Sequence, residues 1–196
     1  MAAPLDLKKI RQDIVFSETL KGQHLNFHTT WGIFSPREID EGTHMLLNHM
    51  EIGEEDDCLD LGCGYGPIGM TMARLAPKGQ TLLVDKDFVG VEYAQANIER
   101  NGITNAEAML SNGFAHIDDR KFDIIASNIP AKVGNEMLYI FMYDAMARLK
   151  PGGKLYVVTI TGLRQFIKRV FNEVFGNYKK LKQGPKYTVA VAVKPE

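Results

Sequence analysis

The chain has 196 residues, enough for one domain of ordinary size with a buried core. It is 45% hydrophobic and 24% charged with a net charge of −1, which excludes the disordered and fibrous classes. No run of eighteen apolar residues occurs, so no membrane span is expected. The first fifteen residues, with Asp6, Lys8, Lys9, Arg11 and Asp13, do not read as a secretory leader.

In chain order, residues 13–20 and 23–30 alternate as two strands joined at Lys21-Gly22, which predicts a hairpin. Ser35-Pro36-Arg37-Glu38 reads as an N-cap with proline at the first helical position. The helix it opens is expected to run to about Met50, with Ile39, Met45, Leu46 and His49 as a partial apolar stripe. Strands and helices then alternate. A strand over 57–61 leads to a helix over 68–75, closed by Pro77 and Gly79. A strand over 81–84 ends at Asp85, and a helix over 89–101 ends at Gly102. A short strand near 107–110 precedes Ser111-Asn112-Gly113. A strand over 122–126 leads to Ser127-Asn128-Ile129-Pro130, and a helix over 136–149 stops at Lys150-Pro151-Gly152-Gly153. A strand over 154–159, a helix over 163–175 and strands over 177–183 and 186–193 complete the chain. Repeated strand–helix units predict an α/β fold whose mostly parallel sheet is covered on both faces. Gly184-Pro185 between the last two strands predicts an antiparallel edge pair. Without repeats or Gly/Ser linkers, residues 1–196 are read as a single domain. Residues 1–50 form an N-terminal hairpin-and-helix elaboration, and 51–196 the core.

The most informative stretch is Cys58-Leu59-Asp60-Leu61-Gly62-Cys63-Gly64-Tyr65-Gly66-Pro67-Ile68-Gly69. An apolar strand ends in an acid and a cluster of glycines, as a sharp turn into a helix beside a ligand requires. Gly64, Gly66 and Gly69 fit the dinucleotide pattern G-x-G-x-x-G. Asp60 argues against that, because a carboxylate at the strand end repels a pyrophosphate. The D-L-G-x-G-x-G pattern instead resembles the first motif of class I S-adenosylmethionine-dependent methyltransferases, in which the acid lies near the methionine ammonium. That resemblance implies a Rossmann-like fold with a mostly parallel seven-stranded sheet, an antiparallel last strand and helices on both faces, here with an N-terminal β-hairpin added. It also implies S-adenosylmethionine as cofactor. The residues expected to hold it are Asp60, Gly62, Cys63, Gly64, Gly66, Asp85, Lys86, Asn112, Gly113, Asn128 and Phe34. Asp85 closes its strand 21 residues after Gly64, where a carboxylate accepts from both ribose hydroxyls. Asn112 stands where an adenine amino group is met, although a turn residue before Gly113 explains it equally well.

Ser127-Asn128-Ile129-Pro130-Ala131-Lys132 resembles the N-P-P-[FYW] motif of methyltransferases acting on amino groups conjugated to a ring or carbonyl. The catalytic roles would fall to Asn128, to the carbonyl of Ile129 and to Pro130, which stiffens the turn. An asparagine oxygen and the following carbonyl each accept one N–H and orient the nitrogen lone pair toward the methyl. Ile129 replaces the first proline and Ala131 the aromatic, so the usual stacking platform is missing from its place.

The segment Phe27-His28-Thr29-Thr30-Trp31-Gly32-Ile33-Phe34-Ser35, followed by Ile39-Asp40-Glu41-Gly42-Thr43, narrows the resemblance. It is similar to the methyltransferase small-domain family, which includes the catalytic half of a ribosomal RNA guanine-N2 enzyme. The implied activity is methylation of an exocyclic amine, guanine N2 of ribosomal RNA first, with RNA as partner and the base unpaired or flipped out. Protein glutamine amides, a small-molecule amine, or a SAM-binding module without catalysis remain open, and a nicotinamide enzyme is the remote alternative. Of Phe34 and Trp31, one is expected in the core and one at the site.

No metal is expected, since His24, His28, His44, His49 and His116 show no ligand spacing. Met137, Met142 and Met146 read as core residues. Cys58 and Cys63 have no partner pair and read as small core residues of a reducing cytoplasm. Charge is divided unevenly. Residues 1–147 hold 12 Lys and Arg against 22 Asp and Glu, whereas residues 148–196 hold 11 against two. The basic cluster of Arg164, Lys168, Arg169, Lys179, Lys180, Lys182 and Lys186 fits either a lysine-protected sheet edge or a phosphate-contacting surface.

Overall fold

The computed structural model describes residues 6–196. A short helix α1 (Leu7–Ile10) precedes the hairpin β1 (Ile14–Leu20) and β2 (Gln23–Thr29). Then come α2 (Glu41–His49), β3 (Cys58–Leu61), α3 (Pro67–Leu75), β4 (Thr81–Asp85), α4 (Phe88–Arg100) and β5 (Ala106–Leu110). The second half holds β6 (Phe122–Asn128), α5 (Asn135–Arg148), β7 (Leu149–Ile160), α6 (Arg164–Phe175), β8 (Lys179–Gln183) and β9 (Tyr187–Val193). Seven strands form one sheet in the order β5-β4-β3-β6-β7-β9-β8, and β9 runs antiparallel to both of its neighbours. The α/β class, the antiparallel finish and the separate N-terminal hairpin agree with the sequence expectation.

The two-residue pleat sorts the strands between two cores. Leu83, Ile124, Ala126, Tyr156, Val158, Val189 and Val191 face α2, α3, α4 and the hairpin. Their neighbours Leu82, Val84, Ile125, Leu155, Val157, Ala190 and Ala192 face α5 and α6. Parallel strands buried on both faces read as continuous apolar runs, as β4 and β6 do. Chain order reverses on either side of β3: β4 and β5 extend one way, β6 and β7 the other. Their carboxyl ends therefore diverge at β3 and β6, where open α/β sheets bind ligands.

The hairpin is fastened by α4. Asn97 accepts from the His28 amide at 2.9 Å and donates to the His28 carbonyl at 3.0 Å. One turn later Asn101 does the same for Asn26, at 2.9 and 2.8 Å. Two side-chain amides thus stand in for a neighbouring strand along β2.

Two local expectations are corrected. Residues 35–40 are not helical. Ser35 has φ +47°, and the helix opens at Glu41 with Asp40 as N-cap, its carboxylate accepting from the Gly42 amide at 2.8 Å. Tertiary bonds hold this loop open: the Tyr65 hydroxyl donates to the carbonyls of Ser35 and Glu38, and the Thr29 hydroxyl to that of Pro36. Next, the Lys150-Pro151-Gly152-Gly153 turn does not delay β7. Leu149 already pairs with Phe122, and an irregularity in register carries the extra residues before Lys154 meets Ile124. The polar start, on which the sequence made no call beyond the absence of a secretory leader, contains α1, capped by the Asp6 carboxylate.

Candidate functional site

A cavity of about 380 Å³ opens at the carboxyl ends of β3, β4, β5 and β6, within the range of small-molecule sites. Its floor is the β3–α3 turn. Gly62, Gly64 and Gly66 take φ of +80°, +53° and +99°, values that side chains strain to adopt. A Cβ on Gly69 would lie 2.3 Å from Leu83 Cγ, so glycine there lets α3 settle against the sheet. Gly62, Cys63, Gly64, Tyr65, Pro67 and Ile68 line the cavity, whereas Gly66 is the N-cap of α3 behind it.

Asp60 does not line the cavity. It is fully buried, and Oδ2 accepts the Gly69 amide at 2.7 Å while Oδ1 has no partner among the described residues. Burial pushes its carboxyl up to about 7, Asp85 adds to that shift, and the Gly69 bond opposes it. In the fold it ties β3 to the first turn of α3. Burial also pushes the Cys63 thiol well above its ordinary value, as a packing residue requires.

Asp85 does reach the wall. Oδ2 accepts from the Gly64 amide at 2.8 Å and Oδ1 from the Asp87 amide at 2.9 Å, so the carboxylate is oriented before any ligand arrives. Each oxygen keeps one lone pair free for a hydroxyl. Lys86, Asn112 and Gly113 line the same end, next to Phe141.

On the opposite wall stand Asn128, Ile129 and Pro130. The Ile129 amide donates to the Val158 carbonyl at 2.9 Å, and the Ser127 hydroxyl to that of Leu61 at 2.7 Å, which fixes the end of β6. Asn128 Nδ2 donates to Asp40 Oδ2 at 3.0 Å and to Thr43 Oγ1 at 3.1 Å. Ala131 does not line the cavity. Phe34 does, with 67% of its surface still exposed. Trp31 belongs to neither core nor site: its Nε1 donates to the Ile10 carbonyl, and the Arg37 guanidinium lies 4.6 Å from its ring centre.

Asp40, Thr43 and Phe141 also line the cavity and had no site role in the sequence reading; Met137, read there as a core residue, is half-buried and lines the cavity instead. Asp40 and Thr43 stand in Asp40-Glu41-Gly42-Thr43, a visible motif whose distance from Asn128 along the chain hides its purpose. Among the described residues no cluster of His, Cys, Asp and Glu is built to hold a metal, and no helix is long and apolar enough to cross a membrane.

The sheet order, the antiparallel β9 and the glycine floor define a class I methyltransferase fold. More narrowly, the methyltransferase small domain model matches residues 24–191, and the chain belongs to that family. It is 32% identical over 145 residues to YbxB, an uncharacterized protein of Bacillus subtilis, covering 73% of this chain and 72% of that one. It is 32% identical over 162 residues to ribosomal RNA small subunit methyltransferase C of Hamiltonella defensa, covering 81% of this chain and 47% of that one. Among solved structures, T. thermophilus 16S rRNA N2 G1207 methyltransferase (RsmC), in complex with AdoMet and guanosine, superposes with a TM-score of 0.85. Identity there is 30%, over 98% of this chain and 52% of the other. The chain thus spans about half the length of the ribosomal RNA methyltransferases it matches.

Proposed function

We propose that the protein is an S-adenosylmethionine-dependent N-methyltransferase whose acceptor is an exocyclic amine, guanine N2 of ribosomal RNA. The observation that carries this reading is the set of Asn128 within the cavity wall. Its amide nitrogen is committed to Asp40 and Thr43, so its oxygen remains as an acceptor, and among the described residues no N–H or O–H group donates to it. A guanine amino group is a poor nucleophile because its lone pair is delocalised into the ring. Accepting its two N–H groups, at Asn128 Oδ1 and the Ile129 carbonyl, directs that lone pair at the methyl group.

The cofactor supplies a methyl group on a positively charged sulfur. The cavity fits such a molecule: the Cβ-free turn at Gly62 and Gly64 admits it against the backbone, Asp85 presents an oriented carboxylate to a ribose, and Leu61, Ile68, Val84 and Phe141 give apolar walls. Transfer of that methyl would form a C–N bond at the acceptor nitrogen, leave the sulfur as a neutral thioether, and release one proton from the nitrogen to water. Phe34, exposed at the cavity rim, supplies the ring face that Ala131 lacks. The RNA acceptor is supported by the relatives, one of them named for N2 of G1207 in 16S rRNA. With ribosomal RNA as the proposed substrate, the cytoplasm is the proposed location.

The test is Asn128→Ala. Turnover on protein-stripped ribosomal RNA should fall by about 100-fold or more, while affinity for S-adenosylmethionine changes less than about threefold. Unchanged turnover would remove Asn128 from the chemistry.

A further inference from the structure

Only one orientation of the Asn128 amide can accept from an incoming amine, and three distant elements converge to fix it. Both hydrogens of Nδ2 are taken, one by Asp40 Oδ2 at 3.0 Å and one by Thr43 Oγ1 at 3.1 Å. Asp40 is itself held on both oxygens. Oδ2 also accepts the Gly42 amide at 2.8 Å, and Oδ1 accepts the Tyr187 hydroxyl at 2.8 Å. Thr43 is buried in the first turn of α2, so its hydroxyl has little freedom to leave. A carboxylate has no proton to give. Turning the Asn128 amide over would set its oxygen against Asp40 Oδ2, acceptor against acceptor, and would leave Nδ2 facing the acceptor amine, donor against donor.

We propose that Asp40, braced by Tyr187 and seconded by Thr43, is a positioning residue that locks the Asn128 amide with Oδ1 toward the acceptor nitrogen. The proposal rests on the reading of Asn128 given above. Asp40 is the N-cap of α2, Asn128 ends β6 and Tyr187 begins β9, so the lock also ties the N-terminal elaboration to the closing strand. Its purpose follows from geometry. Methyl transfer needs the amine lone pair aligned with the S–C bond, and an amide free to flip would present the wrong group part of the time.

Two substitutions at Asp40 separate positioning from helix capping. In Asp40→Asn the side-chain oxygen can keep both the Gly42 and Asn128 donors while its amide turns to the Tyr187 oxygen; kcat should stay within about fivefold of the parent. In Asp40→Ser the helix is still capped, but the hydroxyl is too short to reach Asn128. There kcat should fall about 30- to 100-fold, with the Kd for S-adenosylmethionine moved less than about threefold. Thr43→Val, close to isosteric, should cost about 3- to 10-fold in kcat. If Asp40→Ser turns over like the parent, or if Asp40→Asn falls as far as Asp40→Ser, the proposal is overturned.

A second readout needs no acceptor. In ¹H–¹⁵N spectra of the full chain, the two Asn128 side-chain amide protons should exchange slowly in the parent and in Asp40→Asn, and rapidly in Asp40→Ser. Rapid exchange in the parent contradicts the lock. A parent that shows slow exchange yet methylates no RNA upholds the lock and sinks the assigned acceptor instead.

Discussion

Asp60 sets a pH dependence that can be isolated by one substitution. Its carboxyl is held up to about 7 by burial, with Asp85 adding and the Gly69 amide opposing. In the unfolded chain the same group ionises near 4, so between roughly pH 4 and 7 the unfolded state has lost a proton that the folded state keeps. Stability from this group therefore falls as pH rises through that window, by about 4 kcal/mol across it, and is level above pH 7. Asp60→Asn keeps an oxygen for the Gly69 amide and removes the titration. Urea denaturation at pH 5 and pH 8 should show the variant gaining on the parent at the higher pH. Parallel curves would contradict the buried, unpartnered Oδ1. The residue is legible in the sequence as part of a motif, but its burial is not: nothing in D-L-G-x-G-x-G says whether the acid faces the ligand or the back of the turn. Phe34 and Trp31 illustrate the same limit. Composition names both rings, and only the fold separates the cavity rim from the packing of α1.

At the scale of elements, the hairpin depends on the asparagine pair of α4. Asn97 is buried and makes three hydrogen bonds, to the amide and carbonyl of His28 and to the carbonyl of Tyr65. Asn97→Ala strands these buried groups and should destabilise the protein by about 2–4 kcal/mol. Hydrogen exchange along β2 should quicken more than exchange in β3 and β6. Equal protection in both would mean the hairpin holds without the clip. The order and type of nearly every element follow from pattern: alternation in the two hairpin strands, apolar runs in the central strands, glycine-closed helices, and Gly184-Pro185 between β8 and β9. What the pattern misplaces is the start of α2. Ser35-Pro36 is a sound local helix signal, and it loses to Tyr65 and Thr29, which take the carbonyls of that segment in tertiary bonds. The Tyr65 bonds join residues about thirty apart, which leaves no local mark. The same holds more strongly for Asp40 and Asn128, 88 residues apart.

Over the whole molecule, charge is the feature that chemistry at the cavity does not use. Lys179, Lys180 and Lys182 stand exposed on β8, the outermost strand, and Lys186 stands exposed just before β9. Because β8 runs in the same direction as β7, Lys182 lies toward the cavity end of the sheet and Lys179 away from it. A flat sheet edge is protected from aggregation by such lysines, and an RNA backbone is attracted by them. Reversing all three to glutamate separates the roles. If they contact phosphates, RNA affinity should fall about 10- to 100-fold and the slope of log affinity against log salt should become shallower by about 2. If affinity and slope stay put, these lysines only guard the edge.

The central claim is that Asn128 and its neighbours present a guanine amino group of ribosomal RNA for methylation. The most direct measurement is nucleoside mass spectrometry of ribosomal RNA, taken from cells lacking this protein and then incubated with the purified protein and methyl-labelled S-adenosylmethionine. The account predicts that one labelled nucleoside, N2-methylguanosine, appears with the parent protein and is lost with Asn128→Ala. Label on any other nucleoside, or none on RNA while a protein glutamine amide takes it up, would contradict it.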